Sequence, residues 1–282
     1  MSGKQTDGAA RQVVRRGHKL AVLGMMLLVS VAAMAQTLRA PLRIAAAADL
    51  EPLLPSILHA YAAESGVHAT ATYESSAALT AHILNGAGFD LFLSADMSYP
   101  ERVIAAGMGA TAQPVPYAQG VLVLYTRRDS RWPQPTVALL RDPALQRLAI
   151  ADPARAPYGH AAMEAIEHLG LATTLQPKLV IASNIAQAAQ FAETGNADAG
   201  LISQAAAMTP ALRATGNFVA VPQSLYPAMQ QGAVVLAHAA ERVEAQRFLD
   251  FLLSPEMQGQ LERSGLKAVR PAANPVAGRG AH

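Results

Sequence analysis

The 282-residue chain contains no cysteine. This absence excludes disulfide scaffolds, thiolate zinc sites and thiol nucleophiles, and we expect no lipid attached through a cysteine. Charged residues are also scarce, at 15%, whereas 51% of the chain is apolar. This composition excludes a disordered chain and predicts a large buried core, organised as one large domain or two smaller ones.

The small excess of positive charge is confined to the N-terminus. The formal net charge is +2, but the first 35 residues hold five of the 22 basic residues and only one of the 20 acidic residues. The remaining chain therefore has 17 basic and 19 acidic residues, a net charge of −2. Because nucleic-acid binding requires a clustered basic face, we expect no nucleic-acid partner.

The same N-terminal residues have the three parts of a secretory signal. A basic stretch ends at Lys19, an apolar run follows from 20 to about 33, and the small residues Ala33 and Ala35 form a cleavage site before Gln36. The apolar run is shorter than the roughly 20 residues that span a bilayer. The pattern predicts a signal peptide at 1–35 and a mature periplasmic monomer.

Short apolar runs then alternate with helical patterns along the chain. Strands are predicted at 42–48, 68–73, 90–93, 121–126, 148–151, 178–182, 199–202 and 233–237. Helices are predicted at 53–63, 77–85, 100–106, 161–169, 186–193 and 244–253. Because this alternation is typical of parallel sheets and runs through the chain twice, we predict an α/β fold with two lobes.

Common catalytic and nucleotide-binding motifs are absent. The chain lacks GxSxG, GxxxxGK[ST], HExxH and GxGxxG, and its eight histidines include no i, i+4 pair on a predicted helix. We therefore expect neither an enzyme nor a metal centre. One alternative of a different class remains, a secreted α/β hydrolase using Ser76 or Ser94 with His160 or His82.

A strand, a capping residue and a helix follow one another at four junctions. The junctions are Ala48-Asp49, Ser75-Ser76, Pro157-Tyr158-Gly159 and Ser183-Asn184-Ile185. Ordinary helix capping explains each one singly. In parallel sheets, however, such turns share one edge, so two facing lobes aim four helix N-termini at one cleft. Backbone N–H groups and serine hydroxyls there predict a receptor that closes around a small oxyanion without lysine or arginine.

Six segments of the chain resemble a known family. They are Leu42–Leu50 (LRIAAAADL), Tyr73–Ala78 (YESSAA), Phe89–Asp96 (FDLFLSAD), Asp152–Gly159 (DPARAPYG), Lys178–Ala189 (KLVIASNIAQAA) and Phe248–Glu256 (FLDFLLSPE). In this order and spacing they resemble the molybdate-binding proteins of ABC importers, which are type II periplasmic binding proteins. The resemblance runs from about Leu42 to Leu266.

The resemblance implies a two-lobed type II periplasmic binding protein fold with a hinge and a ligand cleft between the lobes. Lobe 1 is expected at 36–119 and 223–270, lobe 2 at 120–222, and a flexible tail at 271–282. The implied function is a receptor that binds molybdate or tungstate through hydrogen bonds and delivers it to the transmembrane subunits of an ABC permease, with no cofactor. A receptor for sulfate, phosphate or a carboxylate remains the alternative within the same class.

The resemblance also implies the residues of the site. Contacts to the anion are expected at Ala48, Asp49, Ser75, Ser76, Tyr158, Asn184 and Ile185, the last through its backbone N–H. The oxygens of the molybdate are expected to contact Asp49, Ser76, Tyr158 and Ile185, and no residue is expected to bind the metal atom directly.

This sequence departs from the family pattern at two of its positions. Asp49 stands where many members have serine, and Ser203 stands where many have tyrosine. Because a carboxylate repels a dianion, we expect the Asp49 side chain to turn away and cap its own helix, with its backbone N–H facing the ligand. We expect the Tyr158 hydroxyl to replace the tyrosine hydroxyl that many members have at the position of Ser203.

Overall fold

The structure is a computed structural model that describes residues 40–269. The predicted signal peptide at 1–35, the mature start near Gln36 and the predicted tail at 271–282 lie outside these residues. Within the described range, no helix combines the length and the apolar character that crossing a membrane requires.

The described chain alternates strands and helices. The strands are β1 (Leu42–Ala47), β2 (Ala69–Glu74), β3 (Leu91–Ser94), β4 (Val115–Gly120), β5 (Leu122–Arg127), β6 (Leu148–Ala151), β7 (Leu179–Ala182), β8 (Ala199–Ser203), β9 (Gly216–Ala220), β10 (Met229–Val235) and β11 (Lys267–Ala268). The helices are α1 (Leu54–Ser65), α2 (Ser76–Leu84), α3 (Ser98–Ala105), α4 (Pro157–His168), α5 (Ala172–Leu175), α6 (Ile185–Glu193), α7 (Gln204–Ala207), α8 (Pro210–Thr215), α9 (Arg242–Leu252) and α10 (Pro255–Arg263).

The strands form two separate sheets. The first has the order β11-β4-β10-β3-β1-β2, and the second has the order β7-β6-β8-β5-β9. In the first sheet β1 runs parallel to β2 and β3, and in the second β6 runs parallel to β7 and β8. We call the first sheet with its helices lobe 1 and the second lobe 2. The chain crosses between the sheets after β4 and returns before β10, so lobe 2 is inserted into lobe 1.

Helices cover both faces of the first sheet. Successive side chains of β1 lie on opposite faces of the sheet. Ile44 and Ala46 pack in one apolar cluster, and Ala45 packs in another. This follows from the two-residue period of a strand. Helices α1, α9 and α10 supply the first cluster, and α2 and α3 supply the second. Burial on both faces explains why residues 44–47 of β1 are all apolar, whereas Arg43 near the start of the strand is exposed.

The predicted fold class of two α/β lobes is confirmed. Several elements differ from prediction, however. Strands β4 and β9 and helix α10 were not predicted, β10 begins at Met229 rather than 233, and α4 begins at Pro157 rather than 161. Strand β4 has the sequence VPYAQG, which shows no regular alternation, and its Pro116 faces a shift of register in β10 between Gln231 and Gly232. Proline has no N–H to donate to a neighbouring strand, so it is tolerated where the regular hydrogen-bond pattern of the sheet is already interrupted.

Candidate functional site

All four junctions meet at one cleft between the lobes. The seven residues singled out from the sequence all line it: Ala48, Asp49, Ser75, Ser76, Tyr158, Asn184 and Ile185. The cleft also includes Ala47, Glu74, Ala95, Ala156 and Pro157, and its free volume is about 10 Å³. This volume is close to the space that one water molecule needs and far below the roughly 300–1,000 Å³ typical of sites for larger organic ligands. The cleft is therefore sized for a small ligand.

Lobe 1 contributes two serines at the start of α2. Ser75 is the N-cap residue, and its Oγ accepts a hydrogen bond from the Ala78 N–H at 3.3 Å. Ser76 is the first residue of the helix, and its Oγ accepts from the N–H of Ala95, just after β3, at 3.1 Å. Both serines are buried. Because a hydroxyl that accepts a hydrogen bond still has its own hydrogen to donate, each remains a neutral donor for a ligand.

Lobe 2 contributes the starts of α4 and α6. Pro157 and Tyr158 are the first two residues of α4. Asn184 caps α6, where its Oδ1 accepts from the Gln187 N–H at 2.9 Å, and Ile185 is the first residue of that helix. First-turn N–H groups have no partner within their own helix and lie at the positive end of its dipole. No lining residue is lysine, arginine or histidine, so the donors offered to an anion are neutral groups and helix N-termini.

The Asp49 side chain does not cap its helix, and that prediction is wrong. A 3₁₀ turn spans Ala48–Leu50, and its N-cap position is Ala47, so Asp49 lies inside the turn rather than before it. Its Oδ2 accepts hydrogen bonds from Tyr158 Oη at 3.1 Å and from Gln231 Nε2 at 2.5 Å. Only 1% of Asp49 is exposed. The side chain is thus held by donors from α4 and β10, as a buried carboxyl group requires.

Burial makes Asp49 a weak acid. Desolvation raises its pKa from 3.8 to about 6, although the hydrogen bonds from Gln231 and Tyr158 act to lower it. Tyr158 and Tyr117 are fully buried, and burial together with the Asp49 charge raises the pKa of both phenols well above 10. Both tyrosines therefore stay neutral over the physiological range.

Tyr158 and Ser203 occupy different places relative to the cleft. The Tyr158 hydroxyl lies between the lobes and donates to Asp49. Ser203 is buried but outside the cleft lining, where its Oγ caps α7 by accepting from the Ala206 N–H at 3.2 Å. The structure brings the other predicted residues together and leaves Ser203 apart. That Tyr158 replaces a hydroxyl at this position stays a prediction.

Two hydrogen bonds join the lobes at the cleft. One is the bond from Tyr158 on α4 to Asp49 after β1, and the other runs from the backbone N–H of Ala77 in α2 to the carbonyl of Arg155 before α4, at 3.3 Å. The first ties a side chain of each lobe to the other, and the second ties backbone to backbone. The two lobes thus contact each other beside the cleft.

Sequence reasoning missed Gln231 and Gly120. Gln231 is completely buried on β10 and holds Asp49, and a Cβ added to Gly120 would lie 2.6 Å from Tyr158 Oη. The available signal for Gln231 was a pair of glutamines opening an apolar run. For Gly120 it was a glycine directly before the β-branched segment at 121–126.

The residues of the hydrolase alternative do not form a catalytic pair. Ser94 donates to the Asp96 carbonyl, while His160 and His82 lie near Glu164 and Glu74 on exposed surfaces. Across residues 40–269, no hydrogen bond joins Ser76 or Ser94 to either histidine, and no cluster of three potential metal ligands occurs. A nucleophile without a base in reach is not activated.

Residues 42–267 match the profile of a family described as bacterial extracellular solute-binding protein. The chain is 38% identical over 193 residues to the molybdate-binding protein ModA of Rhodobacter capsulatus, covering 68% of this chain and 75% of that protein. It is 31% identical over 217 residues to ModA of Azotobacter vinelandii, covering 77% and 86%. The solved structure of the Azotobacter vinelandii periplasmic molybdate-binding protein superposes with a TM-score of 0.76 at 28% identity, covering 82% of this chain and 99% of that one.

Proposed function

The chain belongs to the family of bacterial extracellular solute-binding proteins, and from this premise we propose that it is a periplasmic receptor for molybdate or tungstate. In this proposal it is not an enzyme and needs no cofactor. It carries the anion to the transmembrane subunits of an ABC permease after removal of a signal peptide at 1–35. The segments 36–119 with 223–270, and 120–222, act as the two lobes.

The observation that carries this proposal is the chemistry of the cleft lining. Neutral hydroxyls and helix N-termini from both lobes converge on one small cleft, and the lining contains no cationic side chain. A dehydrated tetrahedral anion is satisfied by several such donors at once, and the helix dipoles favour its charge. Because the donors lie on both lobes, the anion itself bridges them and stabilises the closed form.

Each site residue has a proposed role. Ser75 and Ser76 donate hydroxyl hydrogens, and the backbone at Ala48, Asp49 and Ile185 donates N–H groups. Tyr158 contributes its first-turn backbone N–H, because its hydroxyl hydrogen is donated to Asp49, and Asn184 holds the first turn of α6 in place through its cap to Gln187. Neutral, fixed donors distinguish anions by size, since a smaller anion leaves some of them without an acceptor.

A thermal-shift panel tests the proposal. We expect molybdate and tungstate to raise the melting temperature strongly, since a ligand at 100 times its dissociation constant stabilises a protein by about 2.7 kcal/mol. Sulfate, phosphate and small carboxylates are expected to give smaller shifts. An equal or larger shift with sulfate or phosphate would assign the cleft to another small anion. No shift with any anion would contradict the receptor function.

A further inference from the structure

Two buried polar atoms beside the cleft lack a hydrogen-bond donor. They are Asp49 Oδ1 and Gln231 Oε1. Their side chains already share one hydrogen bond, from Gln231 Nε2 to Asp49 Oδ2 at 2.5 Å. Both residues are buried, so an acceptor without a donor costs free energy that water does not recover. One additional hydrogen atom on this pair would provide the donor that is missing.

A proton on Asp49 supplies that hydrogen. An ionised carboxylate offers only acceptors, whereas a carboxylic acid offers one O–H donor and keeps an acceptor. Neutral Asp49 therefore donates to the Gln231 carbonyl while the Gln231 amide donates back, which is the reciprocal pairing of an acid with a primary amide. The Tyr158 hydroxyl keeps its bond to Oδ2 in either state.

The groups around Asp49 do not neutralise a negative charge there. Gln231 on β10 is uncharged, and Tyr158 on α4 and Tyr117 on β4 stay neutral because the pKa of each is raised. Glu74 at the end of β2 lines the same cleft and is itself acidic, with His82 as its partner at 3.2 Å. A dianion in the cleft adds further like charge, which favours the protonated form of Asp49.

We propose that Asp49 takes up one proton when the cleft binds a divalent oxyanion, with the neutral Asp49 and Gln231 pair forming one wall of the occupied site. This inference rests on the proposed function. The proton comes from solvent and ends on Asp49 Oδ1, so the bound anion stays divalent and meets a neutral acid instead of a carboxylate. Burial, which raises the pKa of Asp49 to about 6, places the uptake close to neutral pH.

Calorimetric titration of the mature chain with sodium molybdate tests this. Measured at pH 7.5 in two buffers of different ionisation enthalpy, the heats are expected to report uptake of close to one proton per anion. Because molybdate is divalent above pH 6, its own titration does not contribute. Affinity is expected to fall as pH rises above 6, approaching about tenfold per pH unit.

Two variants assign the proton to Asp49. Asp49→Asn provides an N–H in place of the acid O–H and does not titrate, so its affinity should not vary between pH 6 and 8.5 and should exceed that of the wild type at pH 8 by about tenfold or more. No proton uptake is expected in this variant. Asp96→Asn is the matched control, because asparagine keeps the oxygen that accepts from the Ser98 N–H at 2.8 Å. It should retain the proton uptake and the pH dependence of the wild type.

A measurement without ligand checks the same carboxyl group. Because the folded pKa of about 6 lies above the ordinary value of 3.8, the folded state holds the proton more tightly. The wild type should therefore lose stability relative to Asp49→Asn as pH rises from 3.8 to 6, and the difference should be constant above that range. Urea unfolding at several pH values measures it.

The inference and the function fail in different ways. Tight molybdate binding by the wild type with no proton uptake and no pH dependence overturns the role of Asp49 and leaves the receptor function standing. Absence of anion binding by the wild type and by Asp49→Asn at every pH overturns both.

Discussion

At the residue scale, Ser76 uses one hydroxyl group for two purposes. Its oxygen accepts from the buried Ala95 N–H, which leaves its hydrogen to be donated to a ligand in the cleft. Ser76→Ala removes both contacts, so we expect a loss of stability of about 1–3 kcal/mol from the unpaired N–H and a loss of molybdate affinity of roughly ten- to hundredfold. Thermal unfolding and calorimetric titration measure the two effects.

Ser203→Ala is the matched control for this prediction. Its oxygen is also buried and also accepts a backbone N–H, that of Ala206, but it lies outside the cleft lining. It should lose stability and keep its affinity. Equal affinities for the two alanine variants would show that Ser76 only connects α2 to the end of β3.

The set of cleft residues was more predictable than the direction of their side chains. Ser76, Tyr158 and Ile185 follow apolar strands, and the carboxyl edge of a parallel sheet brings such positions together whatever their side chains are. The direction of Asp49 depends on Gln231, which lies 182 residues away in sequence. No local pattern encodes that contact, because it exists only once β10 has paired beside β3.

At the element scale, the cap of α6 controls how that helix presents its first N–H groups. Asn184 Oδ1 accepts from the Gln187 N–H at 2.9 Å, and Ile185 follows it directly. Asn184→Ala should cost about 1 kcal/mol of stability through loss of the cap. We also expect affinity for molybdate to fall by about threefold to tenfold, since the first turn is no longer held in its binding geometry.

Thr209→Ala separates these two effects. Thr209 caps α8 by accepting from the Leu212 N–H, and it is not part of the cleft. It should show a comparable change in the unfolding midpoint and unchanged anion affinity. A similar loss of affinity in both variants would mean that general destabilisation, rather than the position of α6, weakens binding.

The predicted elements were those with a strong local period. Strand β1 has four consecutive apolar residues at 44–47, helix α6 has apolar residues at helical spacing, and both elements were predicted. Strand β9 has the sequence GNFVA and is only partly buried, so nothing in its composition separates it from a loop. It is a strand because β5 offers it a free edge, which is a property of the assembled sheet.

At the scale of the whole molecule, the contact between the lobes depends on a glycine where the chain leaves the first sheet. A Cβ on Gly120 would lie 2.6 Å from Tyr158 Oη and 3.0 Å from Cζ. Gly120→Ala should therefore displace the tyrosine, weaken its bond to Asp49 and hold the lobes apart. We expect molybdate affinity to fall at least about tenfold, with a larger radius of gyration by small-angle scattering in the presence of the anion.

Gly259→Ala provides the control for adding one methyl group. Gly259 lies in α10, and its added Cβ would meet only the flexible Arg263 guanidinium at 3.3 Å. This variant should bind normally and gain up to about 1 kcal/mol of stability, because alanine is the better helix former. If Gly120→Ala behaves in the same way, the lobes do not depend on close approach at this crossing.

The insertion of lobe 2 into lobe 1 also sets the order in which the two sheets can be completed as the chain emerges from its N-terminus. A chain that has emerged as far as residue 228 contains every strand of the second sheet, but it lacks β10. Strand β10 separates β3 from β4, so the first sheet is then in two unjoined parts. The last residues to emerge therefore complete the lobe that began first, and they bring Gln231 to Asp49. An emerging chain therefore holds all the strands of its second lobe before it holds all the residues of its cleft wall.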